Sequence, residues 1–82
     1  MKKFESTATV AKIENPCSDS HYLTFKRWEK GDKKRIYIND YKRRTLGYID
    51  MITGEVNISD RQGSTQAEID FALNGFKAEY EF

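Results

Sequence analysis

Between Arg35 and Ser59 the chain reads RIYINDYKRRTLGYIDMITGEVNIS, with apolar residues returning at every second position. A period of two belongs to extended backbone, whose successive side chains point to opposite faces of a sheet. Three short antiparallel strands are predicted here. Ile36 and Ile38 alternate with Arg35, Tyr37 and Asn39 in the first strand. Leu46 and Tyr48 alternate with Thr45, Gly47 and Ile49 in the second, and Val56 and Ile58 with Glu55 and Asn57 in the third. The intervening stretches, Asp40–Arg44 and Met51–Gly54, carry charge or glycine, as solvated hairpin connections do.

The flanking segments extend this meander. Phe4 to Ile13 reads as a strand with Phe4, Ser6, Ala8 and Val10 on one face, and its pattern shifts at Ala11–Ile13, where a bulge is expected. Asn15–Ser20 is a loop, since Pro16 removes a backbone donor and its Asn, Ser and Asp neighbours bond locally. Tyr22 to Trp28 resumes alternation, with Leu23 and Phe25 facing away from Tyr22, Thr24 and Trp28. Gly31 supplies any positive φ that the Glu29–Lys34 turn needs.

One helix is predicted, opening at Ser64 or Thr65. Thr65 and Glu68 have capping-box spacing, and Ile69, Ala72 and Leu73 form an apolar stripe to lay on the sheet. Asn74-Gly75 offers a C-terminal cap. Beyond it Phe76, Ala78, Tyr80 and Phe82 alternate with Lys77, Glu79 and Glu81, which predicts a last strand. The expected fold is α+β: a mostly antiparallel twisted sheet, in the order β-β-β-β-β-α-β, with one helix across a face. At 82 residues this is one domain. If its last strand lies at the sheet edge, Phe76–Phe82 can pair with a second copy.

No apolar run approaches the roughly 20 residues of a membrane span. The opening MKKFESTATVAK has two lysines but no apolar run behind them, so it reads as structure rather than a targeting segment. The single cysteine, Cys17, forms no internal disulfide, and a reducing cytoplasmic compartment is the expectation.

Chemistry-bearing constellations are sparse. Cys17 and His21 form a nucleophile–base pair only by proximity in a loop, with no third orienting group. Structural zinc needs about four Cys or His ligands, and the chain has one of each. Asp50 and Glu55 flank one hairpin, where carboxylates are more often solvated than catalytic. No phosphate-binding glycine loop or nucleophile elbow occurs, so neither an enzyme nor a cofactor is expected.

Charge is the informative feature. The net charge is +1, yet Lys26–Arg44 holds nine basic residues against three acidic ones, a local +6. The remainder holds five basic and ten acidic residues, a balance of −5. Arg27, Trp28, Lys34, Arg35, Tyr37, Lys42, Arg43 and Arg44 are therefore the candidate binding residues. Cations along a strand face, through Arg27, Arg35 and Tyr37, can follow a phosphate backbone, while interleaved aromatics stack on bases.

Around Trp28–Ile58 the sequence resembles a small β-module found beside nuclease-related (NERD) domains of bacterial proteins. The shared residues are Trp28, Gly31, Arg35-Ile36-Tyr37-Ile38-Asn39, Gly47-Tyr48-Ile49-Asp50 and Thr53-Gly54. The resemblance implies a common β-scaffold and a nucleic-acid-processing context, without an activity of its own. The expected partner is thus nucleic acid, or a nucleic-acid-processing protein, with no membrane partner. The competing expectation is a phage-type inhibitor that docks on a bacterial defence nuclease of the CRISPR or restriction kind, using segregated charge.

Overall fold

The computed structural model describes residues 2–3, 7–12 and 22–81. Its strands are β1 (Lys2–Lys3), β2 (Thr7–Lys12), β3 (Tyr22–Lys30), β4 (Lys33–Asn39), β5 (Thr45–Asp50), β6 (Val56–Ile58) and β7 (Tyr80–Glu81). The single helix, α1 (Gln66–Glu79), lies between β6 and β7. Strands β2 to β6 pair antiparallel, each with its sequence neighbour, into one five-stranded sheet. The α+β class, with an antiparallel sheet and one helix in the C-terminal half, stands, but six strands rather than five precede the helix, because Lys2–Lys3 forms a short strand of its own.

Alternation sets which face each strand buries. Leu23 and Phe25 of β3, Ile36 and Ile38 of β4, and Ile49 of β5 are all fully or almost fully buried. Opposite them α1 inserts Ile69, Ala72, Leu73 and Phe76, with Val10 of β2 joining the same core. The Phe25 and Phe76 rings stack at 4.4 Å between centroids and 6° between planes. Thr65 caps the helix as its sequence predicts, its Oγ1 accepting from Glu68 N–H at 3.2 Å.

The helix does not stop at Gly75; it runs to Glu79, because Phe76 continues the Ile69–Leu73 stripe into the core. Burying a phenylalanine contributes about 1.5–3 kcal/mol, which exceeds the roughly 1 kcal/mol that a helical glycine costs. Consequently Phe76–Glu79 is helical rather than extended. Only Tyr80–Glu81 is extended, and it pairs in parallel with β1 in a separate two-stranded sheet. The proposed pairing of Phe76–Phe82 with a second copy loses its basis, and Phe82 lies outside the described residues.

Strand β5 also departs from its expected parity. Leu46 and Tyr48 do not share a face against Gly47 and Ile49. Ile36 faces Ile49 and Ile38 faces Gly47, but Asn39 faces Thr45, so Leu46 is an extra residue at a register shift. The shift turns Leu46 into the core beside Ile49 and leaves Tyr48 on the opposite face. A second register shift lies between Val10 and Lys12, at the expected bulge. The expectations at Phe4, Ser6, Ile13, the Asn15–Ser20 loop and His21 lie outside the described residues.

Gly47 has a structural reason of its own. A β-carbon there would overlap the Asn57 carbonyl and stand 2.7 Å from Ile58 Cα. Its absence lets β6 approach β5.

Candidate nucleic-acid interface

With α1 on one face of the sheet, the other face is left uncovered by the described elements. Strand parity places Tyr22, Thr24, Lys26 and Trp28 there from β3, Arg35, Tyr37 and Asn39 from β4, and Tyr48 and Asp50 from β5. The registers bring them together. Trp28 lies opposite Arg35, Lys26 opposite Tyr37, and Tyr37 opposite Tyr48.

A continuous aromatic row results. Trp28 and Tyr37 meet edge to face at 5.6 Å, and Tyr37 meets Tyr48 at 5.9 Å in a tilted pair. All three rings are half-buried, so each keeps part of its surface toward solvent. Arg35 joins the row, with Cζ 4.2 Å from the Tyr48 centroid and 5.9 Å from that of Trp28. Its Nη1 donates to the Tyr37 hydroxyl at 3.2 Å. That hydrogen bond, foremost, holds the guanidinium pKa above its ordinary value; desolvation opposes it, and Tyr48, Tyr37 and Asp50 add smaller favourable contributions. The Tyr48 hydroxyl accepts from Asn57 Nδ2 at 3.4 Å.

The sequence-predicted residues divide. Trp28, Arg35 and Tyr37 share this face. Arg27 does not: it has the parity of Phe25, lies opposite Ile36 and is ion-paired with Glu29. Lys34, opposite Glu29, has the same parity, so the stripe through Arg27, Arg35 and Tyr37 does not form.

Lys42, Arg43 and Arg44 occupy the β4–β5 turn, which is organised by Asp40. Asp40 is 2% exposed. Its Oδ1 accepts from Lys42 N–H at 2.9 Å and Arg44 N–H at 2.7 Å, while its Oδ2 accepts from Arg44 Nε at 2.9 Å. Arg44 Nη2 also donates to the Gln62 carbonyl at 3.3 Å. Arg44 is therefore committed to closing the turn, whereas Lys42 and Arg43 are exposed, Lys42 with its Nζ 5.6 Å from the Tyr41 ring centroid.

Tyr48, Lys26 and Asn39 complete the face and were not among the candidate residues. Parity relative to Phe25 and Ile38 would have found Lys26 and Asn39; only the bulge at Leu46 reveals Tyr48. Beside the turn, the face dips into an open depression of about 420 Å³ bounded by residues of β3, the end of β4 and the turn.

The carboxylate pair considered for catalysis is engaged otherwise. Asp50 Oδ1 accepts from Ile52 N–H at 2.8 Å and Thr53 N–H at 3.2 Å, shaping the β5–β6 turn, while Glu55 is exposed. Cys17 and His21 lie outside the described residues. Among the described residues no three His, Cys, Asp or Glu side chains converge, and no helix is long and apolar enough to cross a membrane.

Comparison with protein-family models, with curated proteins and with solved structures finds no match to this chain.

Proposed function

We propose that this chain is a small non-enzymatic module that binds single-stranded nucleic acid, free or within a nucleoprotein, on the uncovered face of its sheet. The observation that carries the reading is the row Trp28–Tyr37–Tyr48 with the Arg35 guanidinium laid against it. Unpaired bases stack on aromatic rings and on arginine planes, and each stacked base contributes about 1–3 kcal/mol whatever its identity. Rigid strands, tied side by side through backbone hydrogen bonds, hold these groups in place before a ligand arrives. Lys26 and Arg35 on the face, with Lys42 and Arg43 at its end, supply charge for the phosphates.

A duplex fits this surface less well, because its bases are stacked internally and offer no free ring faces. The test is a polarisation titration of labelled single-stranded and duplex DNA and RNA across salt. About three neutralised phosphates on a single strand give a slope near −2, a loss of roughly 40-fold between 50 and 300 mM salt. Equal affinity at both salt concentrations, or preference for duplex, contradicts the reading. Absence of binding at low salt moves the search to a protein partner.

A further inference from the structure

The depression at the end of the uncovered face contains a combination that the stacking row does not use. Lys26 and Arg43 reach it from β3 and from the β4–β5 turn, Tyr22, Thr24 and Tyr41 line it, and so does Asp40, whose carboxylate is taken up by the turn amides and Arg44. Neither cation is in an ion pair among the described residues. Asn39 also lines it, and its Oδ1 atom is buried without a hydrogen-bond partner among the described residues. An unpartnered buried carbonyl is uncommon in a folded chain, and a turn of the Asn39 side chain toward the depression would let it accept from a ligand N–H.

Arg43 adds a second anomaly. It sits at φ 66, a left-handed conformation that, among the described residues, Gln62 shares and that Gly31, Gly54 and Gly63 adopt at other bends. For a residue with a β-carbon that conformation is unfavourable, and glycine would relieve it. The turn that Asp40 organises thus holds an arginine, rather than a glycine, at the rim of the depression.

We infer that this depression is a subsite for one nucleotide of the bound strand: its phosphate between Lys26 and Arg43, its base beside Tyr22 and Tyr41 and donating an N–H to Asn39 Oδ1. The inference rests on the single-strand reading above. The volume of about 420 Å³ lies in the range of small-ligand pockets, roughly 300–1,000 Å³. Every nucleobase carries an N–H donor, so Asn39 accepts without requiring a particular base. Continuity with the stacking row comes through Lys26, which faces Tyr37 across the β3–β4 register. The subsite fixes where a strand ends or turns, whereas the row alone lets a strand slide.

The experiment is a nuclear magnetic resonance titration of the full chain with adenosine 5′-monophosphate, adenosine, inorganic phosphate and a short labelled oligonucleotide. The expected result is that the nucleotide shifts the Asn39 side-chain amide and the Thr24 and Arg43 backbone amides. Adenosine and phosphate each bind at least tenfold more weakly. Arg43→Gly keeps the fold, because glycine suits that φ, and lowers nucleotide affinity at least tenfold. Asn39→Ala lowers it severalfold. Phosphate binding as tightly as the nucleotide overturns the subsite in favour of a plain anion site. Oligonucleotide shifts at Trp28 and Tyr48, with nothing at Asn39 or Arg43 from any probe, overturn the subsite and leave the stacking face standing. If no probe shifts any resonance, both readings fail.

Discussion

The Arg35 guanidinium carbon lies 4.2 Å from the centroid of the Tyr48 ring, one strand away, while its Nη1 donates to the Tyr37 hydroxyl at 3.2 Å. One side chain thereby joins two neighbouring rings and places its own flat face among them. Lysine has charge but no plane and no fixed fork, so it cannot reproduce both contacts.

Arg35→Lys should therefore weaken single-strand binding by roughly two- to fivefold, as loss of a surface cation–ring contact implies. Arg35→Ala should also make the salt slope shallower by about 0.7, one phosphate contact on a single strand. A polarisation series across salt reads both. Because the Arg35 pKa is raised, its charge is present at every pH below its ordinary value. The difference between wild type and Arg35→Ala should accordingly be the same at pH 6 and pH 9.

Asp40 and Arg44 form an unequal pair, with side-chain exposures of 1% and 47%. Asp40→Ala leaves two turn amides without their acceptor and should destabilise the fold by about 2–3 kcal/mol, as hydrogen bonds to a charged group imply. Arg44→Ala removes a half-exposed partner and should change stability by less than about 1 kcal/mol. Urea denaturation of both variants checks the asymmetry; equal effects would contradict the assignment of the turn to Asp40.

Gly47→Ala should be among the most damaging small substitutions in the chain. The new methyl group would meet the β6 backbone, which cannot move without breaking its pairing with β5. Overpacking of this kind costs about 1–3 kcal/mol. A thermal melt with an unchanged midpoint would show that β6 is not held as described.

Phe76 stacks on Phe25 on one side and meets Tyr80 at 5.2 Å on the other. Phe76→Ala should destabilise by about 3–5 kcal/mol. A domain of this size has roughly 4–12 kcal/mol in total, so a large share of the molecules should be unfolded at moderate urea. A loss of only about 1 kcal/mol would contradict the burial of Phe76 against Phe25.

Much of the sheet is legible in the sequence because its burial follows strict alternation: Leu23 with Phe25, Ile36 with Ile38, Val56 with Ile58. The Thr65 cap is equally local. What alternation misses is tertiary. Leu46 breaks parity at a bulge, which single-strand periodicity does not carry, and this concealed Tyr48. Phe76 satisfies both a period of two with Ala78 and a helical spacing of seven from Ile69; the Phe25 ring above it decides in favour of the helix. Arg27 was misplaced although the parity it shares with Phe25 assigns its face. The charge count of Lys26–Arg44 is real, but half-turns of backbone distribute those cations over two faces and a turn, so composition alone overstates a single basic surface.

The most direct measurement uses Trp28, the one tryptophan of the chain and a member of the stacking row. Its fluorescence should be followed during titration with an unlabelled single strand at low salt, with polarisation of the labelled strand recorded in parallel. Quenching should saturate with binding, reverse as salt is added and disappear when duplex replaces the strand. Binding seen by polarisation with unchanged Trp28 emission would place the strand elsewhere and contradict the stacking face.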